Sequence, residues 1–331
     1  MNLNPVSMAD IPLTSSIQRW SRNSKGDRSE PLSIAHLARP QTEEPTTIAV
    51  IADPHITPSE RGTWKVYHQT VKRLETAIED INQRDVEGVL LAGDLTKDGT
   101  EAEFKHINEI LTQLQKPFVA IPGNHDVPKE AFDEHVTPSI EDFTREYTIG
   151  RLPFVEQIGG IELIGLNSAT TPDGSLADTH GGLLSEGQLS WLHDVLPTLN
   201  CPIVALHHKL TRWRGESDIN TKSIYQVQNA STVAKICAEQ GVELVLTGHT
   251  HCPTVSRLSR GYEVVNPSTC SFPQAYTLVH IGPAGPDIEL VPLADRDGIE
   301  EAWRFAVQDR REQLIRAATR SYPIVNERDK S

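Results

Sequence analysis

The chain is poor in cysteine, in basic charge and in long apolar runs, and each shortage excludes something. Its four cysteines, Cys201, Cys237, Cys252 and Cys270, fall at no paired spacing in 331 residues. Neither a disulfide framework nor a cysteine-rich zinc knuckle is therefore expected. A reducing compartment fits, with Cys252 a small buried residue rather than a ligand. Lys plus Arg number 31 against 45 Asp plus Glu, a formal charge of −14, which repels polyanions and disfavours duplex nucleic acid as a partner. No apolar stretch is long enough for a signal peptide or a membrane span, so a soluble, cytoplasmic protein without a membrane partner is expected. Internal repeats and low-complexity tracts are also lacking, and the oligomeric state stays open, a homodimer included.

What is present is ordinary globular material, 37% hydrophobic and 23% charged, sufficient for a sizeable core. Short apolar runs at 48–52, 88–92, 117–121, 161–166, 202–206 and 242–247 alternate with helix-period segments, the pattern of strands buried between helical layers. The class is α/β. Val71, Leu74, Ile78 and Ile81 recur at helical spacing, as do Phe104, Ile107, Leu111 and Leu114. A helix opens at Ser185, with Gln188 completing a capping box, and another spans 230–240, ended by Gly241. After His251 come strands at 254–258, 262–265, 276–281 and 287–291, read as an antiparallel second sheet. A terminal helix at 300–319 carries Trp303, Val307, Leu314 and Ile315. Three regions result: an N-terminal extension 1–45, disordered or draped over the domain; a main domain 46–295; and a C-terminal helix and tail 296–331.

The polar residues follow the strands. Asp53-Pro54-His55, Gly93-Asp94, Gly123-Asn124-His125-Asp126, His207-His208 and Gly248-His249-Thr250-His251 each come just after an apolar run, and ligands of open α/β sheets bind beyond the carboxyl ends of the strands. Converging carboxylates, imidazoles and an amide need a neutralising partner, because unpaired charge in a crevice is costly. Bound metal cations meet that need. The oxygen and nitrogen mix suits manganese, iron or zinc and excludes a thiolate structural site. Asp53, His55, Asp94, Asn124, His207, His249 and His251 are too many for one ion with an open position and enough for two. A shared carboxylate such as Asp94 holds two ions about 3.5 to 4 Å apart, with a hydroxide nucleophile between them. The lone histidines His36, His68, His106, His193 and His280 are read as structural, Asp98 and Gly99 as a turn, and Gly93 and Gly123 as tight bends.

These five blocks, in this order, resemble the calcineurin-like metallophosphoesterase superfamily. The resemblance implies two packed mixed β-sheets flanked by helices. It implies one metal on Asp53, His55, Asp94 and His251, and a second on Asp94, Asn124, His207 and His249. His125 is then the histidine that contacts the substrate phosphate and assists the leaving oxygen, with Asp126 orienting it. Gly93-Asp94-Leu95-Thr96, Leu166-Asn167-Ser168, Gly182-Leu183-Leu184, Gln188-Leu189, Trp191-Leu192 and Asn229 are similar to the class III cyclic nucleotide phosphodiesterases. That points to a small phosphate diester attacked in line by the bridging hydroxide. A phosphomonoesterase, a glycerophosphodiesterase or a nuclease on the same site are alternatives, and a non-catalytic scaffold a remote one. Where that group commonly has proline after its paired histidines, this chain has Lys209-Leu210, then Arg212, Trp213, Arg214 and Lys222. His208, Lys209, Arg212 and Arg214 are accordingly candidate contacts for an anionic substrate.

Overall fold

The computed structural model describes residues 28–58, 62–128, 137–169, 181–212, 225–309 and 325–327. Along β2 (Thr46–Ile51) and just beyond it, Ile48, Val50 and Ala52 face one core while Ala49 and Ile51 face another. Successive side chains point to opposite faces of a strand, so a continuous apolar run marks a strand covered on both sides. The same holds along β7 (Pro202–Ala205), where Ile203 and Ala205 join the first core and Val204 a third. Helices, two sheets and helices are thus stacked in four layers.

The first sheet has seven strands, in the order β13 (Val325–Asn326), β1 (Leu32–His36), β12 (Gly285–Pro292), β11 (Ala275–Gly282), β2, β3 (Gly88–Leu91) and β4 (Phe118–Ala120). From β2 to β4 the pairing is parallel, while β11 and β12 are antiparallel. The second sheet runs β5 (Phe154–Ile158), β6 (Ile161–Gly165), β7, β8 (Leu244–Thr247), β10 (Tyr262–Val265) and β9 (Thr254–Arg257), with β6, β7, β8 and β10 parallel. The antiparallel second sheet read after His251 is therefore corrected. Its strands divide, β9 and β10 extending the second sheet and β11 and β12 crossing back to the first. Apolar composition alone does not distinguish those destinations.

Residues 32–36, assigned to an N-terminal extension, are β1, which pairs with β12. Residues 1–27 of that extension lie outside the described residues. α1 (Thr70–Asn82) buries Leu74, Ala77, Ile78 and Ile81 against the first sheet, the leucine and each isoleucine contributing about 1.5 to 3 kcal/mol. α2 (Glu101–Leu111) and α3 (Ile140–Tyr147) start with complete capping boxes, Thr100 with Glu103 and Ser139 with Asp142. At α4 (Glu186–Val195) Ser185 does accept from the Gln188 N–H, but the Gln188 side chain does not close a box. It clamps Asn167 instead, accepting from its N–H at 2.9 Å and donating to its carbonyl at 2.8 Å. α5 (Ala230–Glu239) covers the second sheet. α6 (Arg296–Gln308) begins at an Asp295 cap, four residues before the expected start, and lays Ile299, Ala302, Trp303 and Ala306 on the inter-sheet core. Leu314 and Ile315 lie outside the described residues. All four cysteines are buried free thiols, and Cys252 belongs to the inter-sheet core.

Candidate metal centre

The parallel strands of both sheets end at one edge, and the polar blocks that follow them converge there. Backbone pairing continues past the strands, with the Asp53 N–H donating to the Gly93 carbonyl and the His55 N–H to the Asp94 carbonyl, both at 3.0 Å. Asp53, His55, Asp94, His249 and His251 all adopt positive φ, between 45° and 68°. Residues with a Cβ resist this conformation, and a run of them at strand ends is strain concentrated where chemistry is placed. Glycines make the approach close enough. A Cβ on Gly123 would lie 2.2 Å from Asp94 Oδ1, and one on Gly93 2.5 Å from His207 Nδ1. The bend reading of these two glycines is thereby extended to packing against the ligands.

Asp53, His55, Asp94 and His251 form one group of convergent donor atoms, and Asp94, His207 and His249 form another. Asp94 belongs to both: Oδ2 lies 3.4 Å from His55 Nε2 and Oδ1 lies 3.3 Å from His207 Nε2. Asp53 Oδ1 lies 3.3 Å from His251 Nε2, and its carboxylate accepts from the His249 N–H at 3.0 and 3.1 Å. All these side chains are at least nine-tenths buried. Asn124 is buried too, and among the described residues no hydrogen-bond partner reaches its Oδ1. His55 Nε2 and His251 Nε2 face each other at 3.2 Å. A buried amide oxygen left without a donor, beside two carboxylates and these imidazoles, fits cations of the borderline class.

The ring nitrogens that point away from this centre are held. His207 Nδ1 contacts the Ala92 carbonyl at 2.8 Å, and His251 Nδ1 contacts Ser271 Oγ at 2.8 Å. Since a carbonyl only accepts, Nδ1 of His207 carries the hydrogen and Nε2 is turned inward, the outer-shell arrangement of metal-binding histidines. Burial pulls the His207 imidazole down, yet the charges of Asp94 and Asp53 and the Ala92 carbonyl push it up to about 9. The field that favours a proton at that point also favours a metal cation. Burial first, then the charges of Lys65 and His125, holds His55 well below its ordinary value.

His125 and Asp126 part company. The His125 ring is oriented by the Lys97 carbonyl, which Nδ1 contacts. The Asp126 carboxylate accepts from the N–H groups of Leu95, Thr96 and Gly123 at 3.0 Å each, and from the Thr96 hydroxyl at 3.0 Å. The expectation that Asp126 orients His125 is therefore corrected: it ties the loop after β3 to the loop after β4. Burial, then the neighbouring Asp94 charge, pushes the Asp126 carboxyl up to about 6 against those backbone bonds. His208 turns away from His207, its Nδ1 2.9 Å from Ser168 Oγ. Lys209 is fully buried, and its carbonyl accepts from the Val227 N–H. Exposed Arg212 donates to Gln226 at 3.1 Å. Arg214, with Trp213 and Lys222, lies outside the described residues.

Two features escaped sequence reasoning. Lys65 is buried beside His55 and His125, with no motif around it to announce this. Trp64 and Tyr225, both half-buried, stand one beside each donor group, their rings 4.7 Å from His251 and 5.6 Å from His249.

A family model described as calcineurin-like phosphoesterase matches residues 46–253. A 3',5'-cyclic-nucleotide phosphodiesterase of Nostoc sp. is 28% identical, covering 75% of this chain and 88% of the relative. A 3',5'-cyclic adenosine monophosphate phosphodiesterase of Haemophilus influenzae is 26% identical over 76% of this chain and 88% of its own. A dimetal phosphatase from Danio rerio superposes with a TM-score of 0.58 at 12% identity, covering 74% of this chain and 98% of that one.

Proposed function

Because the chain belongs to the calcineurin-like phosphoesterase family, a family of hydrolases acting on phosphate esters, we propose that it cleaves a small phosphodiester, a cyclic nucleotide foremost, with two bound metal ions. One observation carries this reading: Asp94 offers one carboxylate oxygen to each donor group. Asp53, His55 and His251 would hold one ion with Asp94, and Asn124, His207 and His249 the other. Manganese, iron and zinc all suit these donors. When bound, such ions neutralise phosphoryl charge and make water a nucleophile near neutral pH.

The rest falls to the chain's own residues. His125 stands beside the first donor group, its ring centroid 4.6 Å from that of His55. It faces the phosphoryl group and assists departure of the alkoxide. The Lys97 carbonyl holds the ring in place through Nδ1. Trp64 and Tyr225 offer aromatic surface for a nucleoside moiety beside the phosphate. The activities of the Nostoc and Haemophilus relatives support the cyclic nucleotide over the monoester.

The test is a manganese-supplemented panel of cyclic AMP, cyclic GMP, glycerophosphodiesters, bis(p-nitrophenyl) phosphate and p-nitrophenyl phosphate, run with and without chelator. Cyclic nucleotides should give the highest kcat/KM, and chelation should abolish turnover. A clear preference for p-nitrophenyl phosphate would replace the diesterase reading with a phosphatase.

A further inference from the structure

Lys65 is a buried lysine, 7% exposed, in a segment fixed to the site. It forms an antiparallel bridge with Ser271, the residue that contacts His251, and the next N–H, that of Val66, donates to the Cys270 carbonyl at 2.8 Å. Its ammonium lies 3.0 Å from His55 Nε2, 3.4 Å from His55 Nδ1 and 3.4 Å from His125 Nε2, and 5.4 Å from the centre of the Trp64 ring. The positive end is thus delivered between a candidate metal ligand and the histidine that faces the substrate.

The tautomer of His125 sharpens the point. Its Nδ1 contacts a carbonyl and so carries the hydrogen, which leaves Nε2 of the neutral ring as an acceptor, turned to Lys65. The imidazole offers a phosphoryl oxygen one N–H at that edge, and only when Nε2 carries a proton. An ammonium has three, with a full charge behind them.

We propose that Lys65 is a phosphoryl-binding residue, donating to a non-bridging oxygen beside His125 and favouring the dianionic phosphoryl group of a monoester or product over the monoanion of a diester. The inference rests on the family reading, that a phosphoryl group enters this site. It does not need the diester preference, so phosphate affinity stays interpretable whichever ester the panel selects.

The experiment measures inorganic phosphate binding by calorimetry on the manganese-loaded full chain, native and as Lys65→Met, Lys65→Gln and Lys65→Arg, with metal content and melting temperature on the same samples. Loss of the charge in Met and Gln should weaken phosphate binding about 10- to 100-fold, the range of one charge-assisted hydrogen bond. Metal content should stay native and Arg should recover most of the affinity. The Met and Gln variants should also lose more kcat/KM on p-nitrophenyl phosphate than on bis(p-nitrophenyl) phosphate. Phosphate affinity within threefold of native would overturn the proposal. So would a loss of metal that parallels the loss of phosphate, which would make Lys65 a support for His55. If Lys65→Met does not fold, the Gln and Arg pair decides by the same criteria.

Discussion

The two sheets contribute differently to the centre they share. Strand ends of the first sheet supply both carboxylates, the Asn124 amide and His55, whereas those of the second supply imidazoles alone, from His207, His249 and His251. Two adjacent aspartates on one sheet repel each other, and the opposite sheet answers with a histidine for each: His251 at 3.3 Å from Asp53 and His207 at 3.3 Å from Asp94. Deeper between the layers the contact is apolar, built from Ile48, Val50, Ile203 and Leu246. The sheets are held by burial along most of their faces and by paired aspartates and histidines at one edge. The negative charge thus comes from one sheet alone.

The comparison can be broken most forcefully at Asp94. Asp94→Asn removes the carboxylate that both donor groups share, so metal content should fall at both positions and turnover of bis(p-nitrophenyl) phosphate should drop by about 10³-fold or more. Elemental analysis that found both ions still in place would refute the bridge. His125→Ala tests the first sheet's contribution beyond ligation. It should lower kcat by about 10²- to 10³-fold while leaving metal content near native, and concurrent loss of the ions would contradict the role given to His125. The smallest expected effect is on the second sheet's side. Ser271→Ala frees the outer nitrogen of His251 and should weaken one ion by about 10- to 100-fold, measured by titration of the apoprotein with manganese. Equal weakening of both ions would show that the two donor groups are not separable in this way.

Much of this centre is legible in the sequence because each candidate ligand lies within four residues of the end of an apolar run, and a strand buried on both faces can place such residues only at its end. Asp53, Asp94, Asn124, His207, His249 and His251 all obey that rule. Asp126 misleads by standing next to His125: adjacency in the chain suggests a pair, but its carboxylate turns to three backbone N–H groups from two loops. Lys65 stays hidden because its position depends on a bridge to Ser271, a contact across more than two hundred residues. β11 and β12 look like any other strands, and their return to the first sheet depends on β2 offering an open edge. β5 is missed since Phe154-Val155-Glu156-Gln157-Ile158 keeps no strict alternation, and α3 since its apolar face is just Phe143 and Tyr147.

The left-handed turns at Asp53, His55, Asp94, His249 and His251 carry a consequence for descent. Those at Asp53 and His55 are held by main-chain bonds, to the Gly93 and Asp94 carbonyls, which no side-chain replacement removes. A distant cousin that had exchanged every imidazole and carboxylate for alanine would retain the kinked exit of β2. The backbone would then betray a lost metalloenzyme after its chemistry had gone.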